Sequence, residues 1–92
     1  MAALTDQQAQ SLLTSLPYWK IEDGELVRRF SFKDFRASLA FVNRVGELAE
    51  SAGHHPDIDI RYNKVRLALV SHDQGGLTQR DMKMARTLNS LS

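Results

Sequence analysis

Asp57-Ile58-Asp59-Ile60-Arg61-Tyr62-Asn63-Lys64-Val65-Arg66-Leu67-Ala68-Leu69-Val70-Ser71 decides the fold class. Apolar and polar residues alternate on both sides of Asn63-Lys64, the period-two signature of half-buried strands. Asn tolerates a positive φ, so Asn63-Lys64 reads as a two-residue turn between strands over Asp57–Tyr62 and Val65–Ser71. In that register Ile58 faces Leu69, Ile60 faces Leu67 and Tyr62 faces Val65, so one face is apolar throughout. A one-residue slip would turn this set outward, which ties the strands to their core face. The other face pairs Asp57 with Val70, Asp59 with Ala68 and Arg61 with Arg66. Opposed arginines are unfavourable; Asp59 on the diagonal offsets them. Pro56 cannot donate to the ladder, so pairing loosens there, but the same register carried onward sets His55 opposite His72.

Upstream, residues 33–52 contain no proline and carry Phe35, Leu39, Val42, Gly46 and Ala49 as one helical stripe. Phe41, Val45 and Leu48 widen it, which predicts a central helix buried along most of its length. Ser31-x-x-Asp34 reads as its capping box, with Phe30 and Phe35 as the hydrophobic staple. Gly53 stands where a helix ends in the left-handed conformation, and Pro56 cannot continue the helix. Glu50 therefore lies in the last turn, and His54-His55 leave just beyond it.

Asp23-Gly24 marks an earlier hairpin over Tyr18–Glu22 and Glu25–Ser31. Ile21 faces Leu26 and Trp19 faces Arg28 on one side, with Phe30 and Phe32 continuing it. Trp19 shares that apolar face and reads as core rather than as a ligand-stacking ring. Thr5 and Gln8 have capping-box spacing and open a short helix over Asp6–Ser15, stopped by Pro17. After a loop at Asp73–Gly76, Thr78 and Asp81 form another such box, Leu77 and Met82 its staple. Met82, Ala85, Leu88 and Leu91 then point inward. The expectation is one α+β domain over residues 1–92, ordered α-β-β-α-β-β-α. A four-stranded antiparallel sheet carries three helices on one face.

Composition narrows the function classes. The chain has 92 residues, 42% of them hydrophobic and 25% charged, enough for one modest core. Its 12 basic and 11 acidic residues are dispersed, with no Lys/Arg block, so no nucleic-acid partner is expected. The absence of cysteine excludes disulfides and thiolate chemistry. No apolar run reaches the ~18 residues of a membrane span and the first residues lack a signal-peptide pattern. A soluble, cytoplasmic chain is expected.

The histidines carry the chemical signal. All 3 of them, His54, His55 and His72, fall where the helix end and the hairpin end are expected to meet. Histidine gives and takes protons near neutrality. Glu50, four residues before His54, is placed to orient one imidazole. Taken singly, His54 or His55 is only a favourable charge near exposed helix carbonyls, and His72 only an exposed strand end. Their convergence is what favours acid/base work. A three-histidine zinc site is disfavoured, because adjacent His54-His55 close a tetrahedron awkwardly. Asp81 is fully explained as a helix cap.

Glu50-x-x-x-His54-His55-Pro56-Asp57, Tyr62-Asn63-Lys64-Val65, Ser71-His72 and Gly76-Leu77-Thr78-x-Arg80-Asp81 together resemble the pterin-4a-carbinolamine dehydratases. The resemblance runs from about Trp19 to Leu88 and includes Phe30-x-Phe32-x-x-Phe35. It implies a lyase that removes water from 4a-hydroxytetrahydropterin to give quinonoid dihydropterin, downstream of pterin-dependent aromatic amino-acid hydroxylases. It implies His54, His55 and His72 as active-site histidines, with Glu50, Pro56 and Asp81 supporting or binding substrate. No metal or redox cofactor is implied. Some members carry Trp two residues after the proline, where this chain has Ile58. The resemblance also implies a homodimer or homotetramer. Animal members double as dimerisation cofactors of a homeodomain transcription factor, and related domains assist protein assembly. A non-catalytic interaction module is therefore the alternative.

Overall fold

Thr5 opens the first helix. Its hydroxyl oxygen accepts from the Gln8 backbone N–H, and the Gln8 side chain accepts from Thr5 N–H, closing the reciprocal box. In the computed structural model, which describes residues 2–91, α1 then covers Asp6–Leu13. It stops two residues short of the expectation because Ser15 and Leu16 bond three residues back, tightening the chain. That tightening drops Leu16 into the core at 2% exposure.

β1 (Lys20–Glu22) and β2 (Glu25–Ser31) join through Asp23 and Gly24, both at positive φ. Their register, Lys20 with Val27 and Ile21 with Leu26, is the expected one. α2 runs Phe35–Ala52. Asp34 is its N-cap, accepting from Ala37 N–H at 2.8 Å, so the box expected from Ser31 does not form. Gly53 ends the helix at φ 64, as its position required. β3 (Asp57–Arg61), β4 (Lys64–Leu69), a single 3-10 turn (His72–Gln74) and α3 (Gln79–Asn89) complete the chain.

β2 pairs antiparallel with β4, giving the sheet order β1-β2-β4-β3. This is the expected α+β architecture. The helices share one face. Leu26, Phe30, Val65, Leu67 and Leu69 of the two central strands meet Phe41 and Val45 of α2 and Met82, Ala85 and Leu88 of α3. Trp19 is core at 4% exposure, its indole N–H donating to Asn89.

Two expectations are corrected. First, the second hairpin turns at Tyr62-Asn63, not Asn63-Lys64, and Ile58 pairs with Leu67, Ile60 with Val65 and Arg61 with Lys64. The shift is two residues, so every side chain keeps its face. It also replaces the opposed Arg61 and Arg66 by Asp59 facing Arg66. Tyr62 absorbs the turn at φ 52, and Asn63 is held by Phe32, whose carbonyl accepts its amide at 2.9 Å. Second, the buried stripe of α2 is Ser38, Phe41, Val45 and Ala49, while Phe35 and Leu39 stand exposed. Phe30 packs on Phe32 and Phe41 instead of forming a staple with Phe35.

Candidate active site

The end of α2 sets the site. Gly53 takes the left-handed conformation and His54 N–H bonds back to Ala49 carbonyl at 3.2 Å, which closes the helix and fixes where His54 leaves it. Pro56 is buried and restricts His55 to extended backbone, so the consecutive imidazoles diverge. His54 turns inward, its side chain 8% exposed. His55 turns outward.

His54 meets Asp81. Its Nε2 lies 2.5 Å from Asp81 Oδ1, and Asp81 is wholly buried. Asp81 Oδ2 accepts from Ser71 Oγ at 2.9 Å and from Thr78 N–H at 2.9 Å. Ser71 and Thr78 hydroxyls are 2.9 Å apart, and both residues are buried. A buried carboxylate is tolerable only when its lone pairs are so occupied. Asp81 is thus the helix cap the spacing predicts and, in addition, the partner of an imidazole.

His55 Nε2 is hydrogen-bonded to Glu50, the carboxylate in the last turn of α2. Both side chains are largely exposed. His54 lines a cavity of about 310 Å³ between the end of α2 and α3, walled by Leu48, Ala52, Arg80, Lys83 and Met84. His72 does not lie opposite His55. It sits exposed in the 3-10 turn and lines a separate depression of about 370 Å³ beside Asp23-Gly24. Among the described residues, a salt bridge links the two regions. Arg80, on the wall of the His54 cavity, donates to Asp73 at 2.7 Å, next to His72. The Arg80 guanidinium holds the Asp73 carboxyl below its usual range, helped by the Gln74 amide.

Sequence reasoning missed Ser71, Thr78 and Arg80 as parts of this site. The corrected register contains the signal. Carried past Asp57, it replaces the expected pairing of His55 with His72 by one of His54 with Ser71, and these two residues do meet, at Asp81.

A sequence profile of the family described as Pterin 4 alpha carbinolamine dehydratase matches residues 2–91. The chain belongs to this family. Members of the pterin carbinolamine dehydratase family from Acidobacterium capsulatum and Thermomicrobium roseum are similar to it at 57% and 53% identity. Coverage is 99% of both chains in the first case, and 100% of this chain and 99% of the relative in the second. The crystal structure of a transcriptional coactivator/pterin dehydratase from Brucella melitensis superposes with a TM-score of 0.90 at 34% identity, covering 97% of each chain. A pterin dehydratase-like protein described as a RuBisCO assembly factor in the alpha-carboxysome shares the fold alone, at a TM-score of 0.64 and 23% identity, over 79% of this chain and 84% of that one. Among the described residues no helix is long and apolar enough to cross a membrane.

Proposed function

We propose that the chain is a hydro-lyase that dehydrates 4a-hydroxytetrahydropterin to quinonoid dihydropterin by histidine acid/base catalysis, within tetrahydrobiopterin recycling after an aromatic amino-acid hydroxylase. The reaction needs one proton placed on the leaving 4a-oxygen and one taken from the adjacent ring N–H. The nitrogen lone pair then expels water as the carbon–nitrogen double bond forms. Both transfers suit imidazole near neutrality, each contributing about 10²–10⁴-fold. The observation that carries the reading is the buried His54–Asp81 pair at the wall of a cavity, in a chain that matches the family from end to end.

In this reading His54 works from the cavity wall. His55, next in the chain and held by Glu50, is the second proton-transfer group. His72 lines a separate depression, and its part in this reading rests on the family resemblance and on the turn that Asp73 ties to Arg80. Stopped-flow dehydration of a carbinolamine tests the assignment, with His54, His55 and His72 each replaced by Ala. Losses of about tenfold or more in kcat support a role. Three variants at wild-type rate end the reading.

We also propose a homodimer or homotetramer. Phe35, Leu39 and Tyr62 line one shallow depression and are exposed at 46%, 40% and 64%. Ile58, exposed at 40%, lies on β3, one of the two edge strands. An apolar patch beside a sheet edge is a surface for a second copy. The same patch favours the second reading, an interaction or assembly module. Stable retrieval of a different protein, with no turnover of carbinolamine, would favour that module.

A further inference from the structure

The hydrogen bonds around Asp81 fix the direction of every proton in the network. Arg80 N–H donates to Thr78 Oγ1 at 3.2 Å. An ionised carboxylate only accepts, so the single hydroxyl proton of Ser71 goes to Asp81 Oδ2. The Thr78 hydroxyl proton is then the one that bridges to Ser71 Oγ. Thr78 N–H also donates to Oδ2, at 2.9 Å. Oδ2 is filled, and Oδ1 faces His54 Nε2, which must donate. The other ring nitrogen of His54, Nδ1, has no hydrogen-bond partner among the described residues.

We propose that Ser71 and Thr78 are positioning residues that pin the proton of neutral His54 on Nε2, leaving Nδ1 as its only exchanging nitrogen. They act through Asp81, whose carboxylate they orient. The role of Nδ1 in turnover rests on the dehydratase reading above, but the proton placement is read without turnover.

The geometry makes a sharp statement about Asp81→Asn. The amide must offer its oxygen to the two donors, Ser71 O–H and Thr78 N–H, and therefore its NH2 group to His54. An N–H facing Nε2 drives the imidazole proton to Nδ1, the wrong tautomer for a base working there. Nitrogen-15 NMR of histidine-labelled full-length protein, recorded where His54 is neutral, reads this directly. The expected spectrum shows a protonated Nε2 and a bare Nδ1 in the wild type, reversed in Asp81→Asn. A wild-type proton on Nδ1, or an Asp81→Asn chain that keeps the Nε2–H form, overturns the proposal.

Ser71 is tested separately. Ser71→Ala should lower kcat about tenfold with KM unchanged, the loss expected from one hydrogen bond to a charged group. Ser71→Thr, which keeps the hydroxyl, should restore it. An unaltered kcat in Ser71→Ala, or no rescue by Thr, removes Ser71 from the role. A wild type that holds the Nε2–H form yet turns over no carbinolamine supports the proton placement and removes the dehydratase reading instead.

Discussion

His54 Nε2 and Asp81 Oδ1 sit 2.5 Å apart, although 27 residues separate them in the chain. Neither side chain is accessible enough for water to replace the other. The pair is therefore structural as well as chemical, and the two roles can be separated by experiment. Asp81→Ala leaves Ser71, Thr78 N–H and His54 as buried donors without an acceptor. The expected loss is about 3 kcal/mol in urea unfolding, while Asp81→Asn, which keeps most bonds, should cost far less.

Glu50 offers the opposite case. Its bond to His55 lies in solvent, so Glu50→Gln should leave stability within about 0.5 kcal/mol of wild type. Its effect should fall on the dehydration rate, as a modest, several-fold loss in kcat. Equal loss of kcat in Glu50→Gln and His55→Ala would show that the carboxylate does all that the imidazole needs.

The clasp between Asp73 and Arg80 has a pH dependence of known sign. The Asp73 carboxyl is held below the ordinary 3.8 by Arg80. A lowered carboxyl contributes its stabilisation above the unfolded value and loses it as pH falls through the folded one. The clasp should thus be intact throughout the neutral range and open only in acid below about pH 4. Amide protection in the turn His72–Gln74, taken relative to the intrinsic exchange rate at each pH, should fall there in the wild type. In Asp73→Asn the turn should exchange faster at neutral pH as well.

Tyr62 holds a left-handed conformation at φ 52 with its ring in solvent. Such a conformation costs a non-glycine residue about 1 kcal/mol. Tyr62→Gly should therefore leave the monomer as stable as wild type or slightly more so. If the exposed ring belongs to a contact between copies, the same variant should weaken self-association, seen by sedimentation. Thermal stability and association moving in opposite directions is the expected outcome.

Most of the fold is written locally. Asp23-Gly24, Gly53 and the capping boxes of Thr5 and Thr78 each fix a boundary through a few neighbouring residues, and those boundaries fall as expected, whereas the box expected from Ser31 gives way to Asp34 as the cap. The hairpin register at Tyr62-Asn63 was less legible, because a two-residue shift preserves the apolar face and periodicity cannot detect it. The opposed Arg61 and Arg66 were the one local cost that pointed to the other register. That shift decided the site: with it, His54 joins Ser71 at Asp81, and His72 moves into a different depression. The buried face of α2 was misread for another reason. Phe35 and Leu39 sit at helical spacing with the core positions, and a surface patch looks the same as a core stripe in sequence.

Asp81 also ties the site to the order in which the chain is made. A nascent polypeptide that has emerged as far as β4 contains the residues of both hairpins and of the long central helix, yet His54 and Ser71 lack the carboxylate they bond to until α3 follows. Before that moment these polar groups resist burial, and afterwards they can be buried only together. Docking of the final helix and closure of the His54–Asp81–Ser71 network should thus coincide, and a ribosome-stalled chain ending within the Gly75-Gly76 loop should lack both.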